Sequence, residues 1–493
     1  MNTASIRSND ERASRGLTSE RNSSRQPERI LIECTDTVRR GVRTGIQRAV
    51  RSLVRDGVQI GREHDQAITG VVLGARGFEL YSLRKDLEGD GPLPTLRQNV
   101  LYHAPQSYVA AAQWCSRWIK SRKFRSWLLP QPGHLGIFKP LVKFAEFAKR
   151  LTGRKLQAAA TLDLGRGDLL ILADACWKDL EIWEHVRRAR AAGAFVATVV
   201  YDIIPLSHPQ FMVSGHEAGF RQYLREAVTS SDLIVAISQT IRDQLREQLP
   251  EIFPDVESLP RVEAFSMGAD FGETDQAVRK ELVELFSQRT QPAPYLTVST
   301  IEPRKNHAFT LRAMEALWSR GANVRLMCVG KRGWMSDDLL RAVEAHAEYG
   351  KRLFWYDDLS DSELFYCYRH ARGTISSSFV EGFNLPIVES LWHGRKTFVS
   401  DTPIHREVGR EQVEYFGLSS EESLVRAIAR WEAELALGAN MEQRQIIPMS
   451  WRESTELLLE IAGAAYADTG TQSEQLRASE ALPGEARART AAA

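Results

Sequence analysis

Short apolar runs alternate with amphipathic stretches through the first half of the chain. The apolar runs predict buried strands at 29–34, 169–172, 195–200 and 233–237. Between them, the helical spacing of apolar residues predicts helices near 46–54, 180–192 and 220–229. Because strands that alternate with helices pair in parallel, this half is predicted to form a doubly wound parallel sheet.

A second series of strands and helices begins at Tyr295. Strands are predicted at 295–299, 324–329, 353–356, 373–378 and 397–400. Helices are predicted near 307–319, 337–349 and 421–437. Ser360 followed by Glu363 is a capping-box signature, which predicts that a further helix begins there. This half is therefore predicted to form a second Rossmann-like domain.

The length of 493 residues is too great for one compact core, so two domains are expected. Polar, low-complexity composition at both ends predicts disordered tails. The predicted segments are a tail at 1–28, a first Rossmann-like domain at 29–285 with an insertion at 111–156, a second Rossmann-like domain at 292–445, a C-terminal helix at 446–467 that packs on the first domain, and a tail at 468–493.

The composition narrows the possible functions. Lys and Arg number 64 against 63 Asp and Glu, and a formal charge of +1 gives no global field that would attract nucleic acid. The five cysteines form no CxxC pair, which is typical of a reducing compartment. There is no secretory signal pattern and no run of roughly 20 apolar residues that would span a bilayer. A cytoplasmic location is therefore expected, with any membrane attachment being peripheral.

Two glutamates flank a turn between predicted strand 373–378 and the helix after it. Glu381 and Glu389 lie eight residues apart, and between them stand Gly382, Phe383, Asn384, Leu385 and Pro386. Proline suits the first turn of a helix, and a helix N-terminus offers unpaired N–H groups and a positive dipole end to a diphosphate. Alternatively, the two acids decorate a solvated helix end, where the dipole favours them in any case.

Two further loops follow neighbouring predicted strands of the second domain. Arg304 and Lys305 follow strand 295–299, where fixed positive charge can neutralise a diphosphate. Gly333 follows the next strand, where a glycine lets the backbone approach a ligand closely. A solvated basic turn and a plain turn are the respective alternatives. Because loops after parallel strands meet at the ligand-binding edge of an open sheet, the three motifs together predict a nucleotide-sugar site.

Together these motifs resemble those of retaining GT-B glycosyltransferases of family 4, in the bacterial mannosyltransferase-like branch that builds O-antigen and other surface polysaccharides. The matching residues are 44–48, 201–205, 236–238, 300–306, 333–334 and 381–389. The resemblance implies an α/β GT-B fold, in which two Rossmann-like domains with doubly wound parallel sheets face a cleft. It also implies transfer of a hexose to a growing, lipid-linked surface glycan, with mannose as the expected sugar and GDP-mannose as the expected donor. The transfer would need no metal and no cofactor.

The resemblance also implies roles for individual residues. Lys305, with Arg304 as a helper, would hold the donor diphosphate. Glu381 would meet hydroxyls of the donor sugar, and Glu389 would accept hydrogen bonds from the ribose. The backbone amides of Phe383, Asn384 and Leu385 would cap the phosphates. The other positions on the donor side are Gly382, Gly333 and Gly45. The positions on the acceptor or sugar side are Tyr201, Asp202 and His208.

The chain departs from this family's pattern at two positions. Asn384 stands where many relatives carry glycine, so this residue is expected either to trim the donor pocket or to adopt the left-handed conformation that asparagine tolerates. Tyr201 stands where many relatives carry a histidine before Asp202, which removes a proton shuttle from that position. His208 is a candidate substitute, and a simple loop histidine is the alternative.

Residues 114–155 combine positive charge with aromatic side chains. They contain 11 Lys and Arg residues against a single acid, Glu146, with seven Trp and Phe residues interleaved. This composition is typical of a segment that lies on anionic lipid, where a lipid-linked acceptor would be presented. The alternative is an insertion whose aromatic residues are core and whose cations form a solvated face.

Two other functions remain open on the sequence alone. A non-catalytic subunit of a glycan-assembly complex would keep the nucleotide-sugar fold and only bind. A GT-B sugar-nucleotide epimerase would turn over the donor without any acceptor. The presence of Lys305, Glu381 and Glu389 together favours a catalytic protein over the first of these.

Overall fold

The computed structural model describes residues 26–40, 45–81, 161–269, 277–288, 290–441 and 448–480. The chain divides into two compact units, one of residues 70–163 and the other of everything outside that range. Of the unit 70–163, the structure describes residues 70–81 and 161–163. The predicted insertion at 111–156, the basic aromatic segment at 114–155 and Thr44 lie outside the described residues.

The first sheet is built from short, largely apolar strands. Their bounds are β1 Arg29–Glu33, β2 Ala67–Leu73, β3 Phe78–Leu80, β4 Asp168–Leu172, β5 Phe195–Val200, β6 Leu233–Ala236 and β7 Arg261–Ala264. Across the described residues the sheet has seven strands in the order β3-β2-β1-β4-β5-β6-β7. Strand β1 pairs in parallel with β4, and the ladder continues in parallel to β7. Continuous apolar runs such as β4 and β5 are buried along their whole length, as expected for the centre of a parallel sheet.

Helices follow the strands of the first sheet. Their bounds are α1 Thr35–Arg40, α2 Gly45–Glu63, α3 Ile182–Ala191, α4 Ile204–Ser207, α5 His216–Ser230 and α6 Gln239–Ile252. Helix α2 is longer than the predicted 46–54, because the buried positions Val50, Val54 and Ile60 continue its apolar face. Helix α6, which was not predicted, begins after Ser238, whose hydroxyl accepts a hydrogen bond from the N–H of Ile241.

The second sheet is parallel throughout. Its strands are β8 Tyr295–Val298, β9 Leu326–Val329, β10 Leu353–Tyr356, β11 Gly373–Ser376, β12 Thr397–Ser400 and β13 Glu414–Phe416. The described part of the chain places six strands in this sheet, in the order β10-β9-β8-β11-β12-β13. The order runs outward in both directions from the pair β8 and β11, which is the doubly wound topology that the sequence predicted.

The helices of the second sheet are α7 Lys280–Ser287, α8 His307–Ser319, α9 Asp337–Glu344, α10 Asp361–His370, α11 Leu385–Trp392, α12 Pro403–Gly409 and α13 Glu422–Ala436. The predicted capping box is confirmed, since Ser360 and Glu363 satisfy each other's backbone N–H groups at the start of α10. Helix α7 spans residue 285, where the predicted first domain ends. It buries Leu282, Leu285 and Phe286 at helical spacing, so it belongs to the core of the second sheet.

The last helix, α14 Trp451–Glu480, packs against α2 of the first sheet. Arg452 forms an ion pair with Glu63 of α2, and the hydroxyl of Ser454 donates to the carbonyl of Ser266 at 2.7 Å. The helix extends beyond residue 467, where the predicted C-terminal helix ends, to Glu480. It therefore overlaps the predicted tail at 468–493 over residues 468–480, and the rest of that tail lies outside the described residues.

Helix length and polarity bear on membrane association. Over the residues that the structure describes, no helix is both long enough and apolar enough to cross a bilayer.

Loops that follow the strands of the two sheets contact each other. The hydroxyl of Ser238, after β6, donates to the carbonyl of Gly382, after β11, at 3.0 Å. The carboxylate of Glu407 on α12 accepts from the N–H groups of Gln239 and Thr240, both at 2.8 Å. Glu407 therefore satisfies the N-terminus of α6 from the other sheet, and the carboxyl edges of two parallel α/β sheets face each other as predicted.

Candidate functional site

A strand-to-helix turn places Glu381 beside the N-terminus of α11. Asn384 immediately precedes that helix in the left-handed conformation, with φ of 77°, and Pro386 occupies the first turn. The Asn384 side-chain amide contacts the Ser376 hydroxyl and the His405 ring, both at 2.8 Å. The left-handed conformation at Asn384 is therefore confirmed, and its side chain is held within the second domain.

Two cations close over the Glu381 carboxylate. Arg304 and Lys305 lie in a turn of 3₁₀-helix after β8, and each ion-pairs with a different oxygen of Glu381. Burial opposes ionisation of Glu381, but the charges of Arg304 and Lys305 outweigh it and hold the pKa of this carboxyl well below its usual range. The predicted cation loop and the predicted glutamate thus meet in one buried, charged cluster.

Two further acids border this cluster. Glu302 Oε1 lies 2.6 Å from Arg304 Nε, and burial raises the pKa of the Glu302 carboxyl. Burial also raises the pKa of Asp202 from the first sheet, although Arg304 and Lys305 act against that shift. Asp202 is therefore close enough to the cluster for the charges of Arg304 and Lys305 to affect its pKa. Glu302 was not among the predicted site residues. An acid two residues before a buried arginine was the available signal.

The other predicted residues of the first domain have partners of their own. The Tyr201 hydroxyl donates to the Ala173 carbonyl at 2.7 Å and is buried within the first sheet. The His208 ring contacts the Ser207 hydroxyl at 2.9 Å and stacks on Phe211. No role of Tyr201 or His208 toward a sugar follows from these contacts, so both assignments stay predictions.

At Gly382 the backbone of the Glu381 turn lies close to the backbone of the first sheet. A Cβ atom built at Gly382 would overlap the carbonyl oxygen of Tyr201. No change of rotamer can relieve that contact, because the backbone fixes the position of the Cβ atom and the carbonyl oxygen is itself a backbone atom. Glycine at this position therefore lets the Glu381 turn lie against the first sheet.

We expect Gly382→Ala to lower any transfer activity by about 10²-fold, since a displacement of roughly 1 Å at a reacting centre costs that much. The added methyl group would push the Glu381 turn away from Tyr201. Gly463→Ala is the matched control, because a Cβ there meets nothing within 4 Å. Activity and melting temperature should be measured for both variants. Equal activities in the two would contradict the close-approach account.

The predicted Gly333 loop also reaches the first sheet. The N–H of Gly333 donates to the Ile301 carbonyl at 3.0 Å, and a Cβ built at Gly333 would lie 2.6 Å from that same oxygen. Next to it, the Trp334 indole donates to the Phe211 carbonyl at 2.7 Å. Gly333 thus packs against the loop that carries Arg304, and Trp334 joins this loop to the first domain.

Glu389, in the first turns of α11, is 2% exposed and has both carboxylate oxygens engaged. Oε1 accepts from Arg48 Nη1 at 2.9 Å, and Oε2 accepts from the Tyr368 hydroxyl at 2.6 Å. Arg48 comes from α2 of the first sheet, so this ion pair bridges the two sheets. Sequence reasoning missed both partners, because nothing in local spacing connects residues 48 and 368 to residue 389.

Two helix N-termini meet beside these groups. A Cβ built at Gly45, the first residue of α2, would lie 3.7 Å from Leu385 Cδ1, the first residue of α11. Within the described part of the chain, the amide N–H groups of Phe383 and Asn384 have no hydrogen-bond acceptor. Both dipoles present their positive ends here, so the arrangement suits an anion such as a diphosphate.

A separate cavity opens at the carboxyl edge of the first sheet, with a volume of about 160 Å³. Glu33 ends β1 and Asp174 follows β4, and both line the cavity. Burial, and then the charge of Asp174, raise the pKa of Glu33 to about 7. The Glu33 carboxyl accepts from the N–H of Thr35 at 2.6 Å. Ionisation of Glu33 therefore costs free energy near neutral pH.

This burial predicts a pH dependence of folding. The Glu33 pKa is raised from 4.5 to about 7 in the folded state. Ionisation of Glu33 therefore does not destabilise the folded state below pH 4.5, and the destabilisation reaches its full size above pH 7. We expect the wild-type free energy of unfolding to fall by roughly 3 kcal/mol over that window relative to Glu33→Gln. Denaturant unfolding at pH 5 and pH 8 checks it, with the exposed Glu251→Gln as control. Parallel curves for wild type and Glu33→Gln would rule the effect out.

Residues 280–446 match the family described as "Glycosyl transferases group 1". A serotype-specific mannosyltransferase, WbdA, of Escherichia coli is 27% identical over 402 residues, which are 80% of this chain and 44% of that protein. The O-antigen chain mannosyltransferase RfbU of Salmonella typhimurium is 21% identical over 234 residues, covering 47% of this chain and 60% of that one. The chain spans less than half the length of the E. coli relative.

A likeness to a solved structure supports the fold. The N-terminal domain of trehalose-6-phosphate phosphatase of Candida albicans aligns over 89% of this chain and 97% of its own, at 11% identity and a TM-score of 0.50. The two facing, predominantly parallel sheets have the GT-B fold. The region matched by the glycosyl transferases group 1 family carries Arg304, Lys305, Glu381 and Glu389.

Proposed function

We propose that the chain is a retaining glycosyltransferase that moves a hexose from a nucleotide sugar to a growing, lipid-linked surface glycan. The observation that carries the proposal is the cluster of Arg304, Lys305 and Glu381 beside the paired N-termini of α2 and α11. Mannose, from GDP-mannose, is the proposed sugar because the relatives are named mannosyltransferases. The basic, aromatic composition of residues 114–155 supports a lipid-linked acceptor met at the inner face of the cytoplasmic membrane.

The cluster suits departure of a diphosphate. As the bond between the sugar and the diphosphate breaks, negative charge grows on the leaving phosphate oxygen. Arg304 and Lys305 are fixed, largely buried cations and need little reorganisation to stabilise that charge. In a same-face displacement the departing phosphate accepts the proton of the acceptor hydroxyl, so the protein itself need not supply a base. Retention of configuration follows from attack on the face that the phosphate leaves.

Glu381 can serve the donor sugar while it holds both cations. An ionised carboxylate offers about four lone-pair sites on its two oxygens. Arg304 and Lys305 each take one site, so sites remain for hydroxyls of the sugar. The low pKa of Glu381 keeps it ionised across the neutral range. Glu381 thus links the sugar to the same cations that stabilise the leaving group.

A thermal-shift panel of GDP-, UDP-, dTDP- and ADP-sugars tests donor binding. A ligand that binds only the folded state stabilises that state by mass action and so raises the melting temperature. At a ligand concentration of 100 times the Kd, the gain in stability is about 2.7 kcal/mol. We expect one base to give a clear shift, with GDP-mannose as the expected donor. The absence of any shift with all four bases would contradict the proposed function.

A further inference from the structure

Glu389 cannot be approached without displacing a neighbour. It is 2% exposed, and each of its oxygens already accepts a hydrogen bond. Tyr368 is fully buried, and burial together with the Glu389 charge raises the pKa of its hydroxyl, which therefore stays a donor. The Arg48 side chain is 29% exposed. Arg48 is thus the partner that can swing away, and it covers Glu389 on the side of the first sheet.

Arg48 is also placed to meet a diphosphate. It lies three residues after Gly45, on the same face of α2, and side chains of a helix lean back toward its N-terminus. Gly45 in turn faces Leu385 at the start of α11. Burial alone would lower the pKa of Arg48, but the carboxylates of Glu389 and Asp361 raise it, so the guanidinium is charged. A charged, movable arginine therefore stands beside two helix N-termini.

The cations already in the cluster are paired with acids, so a diphosphate would benefit from a further cation. Arg304 and Lys305 are already paired with Glu381, and Arg304 also pairs with Glu302. A diphosphate therefore enters a cluster whose positive charge is largely compensated. Release of Arg48 from Glu389 would turn a third cation toward the diphosphate, and a guanidinium binds phosphate oxygens in a bidentate fork.

We propose that Arg48 exchanges the Glu389 carboxylate for the donor diphosphate when the nucleotide binds, which frees Glu389 for the ribose hydroxyls. This inference rests on the proposed function, since it concerns the same donor site. It makes Arg48 a positioning residue that couples recognition of the ribose to recognition of the diphosphate. A nucleoside alone has to break the Arg48–Glu389 pair without compensation. A nucleoside diphosphate replaces that pair with a new one.

The test is a comparison of guanosine with GDP, or of the same pair for whichever base the thermal-shift panel selects. Calorimetric Kd values should be measured for the wild type, Arg48→Met and Arg48→Lys. In Arg48→Met we expect GDP to bind about 10- to 100-fold more weakly, the loss of one charge-assisted contact to phosphate. Guanosine should bind as tightly as to the wild type or more tightly, because Glu389 is uncovered. Arg48→Lys, which keeps the charge, should recover part of the GDP affinity.

Arg55→Met is the matched control. Arg55 lies on the same helix, is half-exposed and pairs with its neighbour Asp56, so both affinities should stay unchanged. A merely structural role of Arg48 would weaken guanosine and GDP in parallel, and that result, or no change in either, would overturn the inference. If the wild type binds no nucleotide, the proposed function itself fails. If the wild type binds GDP, but the ratio of the guanosine Kd to the GDP Kd is the same in Arg48→Met as in the wild type, the proposed exchange fails and the proposed function stands.

Discussion

Glu381→Gln is expected to lower the rate of hexose transfer by about 10³-fold, the scale of losses when a preorganised electrostatic group is removed. Donor binding should not weaken. Arg304 and Lys305 lose their negative partner, so their charge becomes more available to a diphosphate, and the Kd for the nucleoside diphosphate should stay the same or fall. A loss of turnover without a loss of affinity is the signature expected of a group that acts on the reacting sugar.

The amide is the right substitution at this position. Alanine would leave a cavity beside the buried Arg304 and Lys305 and would remove both of the oxygens that accept their hydrogen bonds. Glutamine keeps the shape and one acceptor oxygen. Glu422→Gln, which removes an exposed carboxylate paired with Arg320, is the matched control and should retain full activity. Wild-type turnover in Glu381→Gln would contradict the assignment of the site.

Lys305→Met is expected to weaken binding of the donor diphosphate and to slow its departure. The nucleoside diphosphate should bind about 10- to 100-fold more weakly, and transfer should fall by more than that, because Lys305 also stabilises charge that develops as the bond breaks. The fold should persist. Methionine fills a similar volume, and Arg304 still pairs with Glu381, so the buried carboxylate keeps a cation.

Lys331→Met serves as the control for Lys305→Met. Lys331 lies in the loop after the neighbouring strand β9, and it is exposed, so its charge is screened by solvent. Its substitution should change neither affinity nor rate appreciably. Calorimetric titration and initial rates at one ionic strength check both variants. A Lys305→Met protein that binds the diphosphate as tightly as the wild type would rule out the proposed role of Lys305.

Much of the second sheet could be predicted from sequence because its signals are local. Apolar runs such as Leu353–Tyr356 and Thr397–Ser400 are bounded by turn residues and coincide with strands. The capping box at Ser360 and the positive φ of Asn384 likewise depend on the chemistry of single side chains. The same local signal was present in Lys280–Ser287, where Leu282, Leu285 and Phe286 recur at helical spacing, although no helix was predicted there.

The contacts between the two sheets could not be predicted in this way. Arg48 pairs with Glu389 across 341 positions of sequence, and Glu407 reaches α6 across about 168. Hydrophobic periodicity specifies which face of an element is buried, but not which distant polar group will meet it. The sequence therefore indicated that Glu381, Arg304 and Lys305 share a sheet edge, while the partners of Glu389 came only from the structure.

The most direct test is whether release of nucleoside diphosphate depends on an acceptor. The full-length protein should be incubated with GDP-mannose, or the donor that the panel selects, with and without a synthetic lipid-linked mannoside. Chromatography and mass spectrometry then follow donor, diphosphate and acceptor together. We predict diphosphate release and acceptor elongation by one hexose when the acceptor is present, and neither in Glu381→Gln. Conversion of the donor without acceptor would indicate an epimerase, and donor binding without turnover on any lipid-linked glycan would indicate a binding subunit; either result would contradict the account.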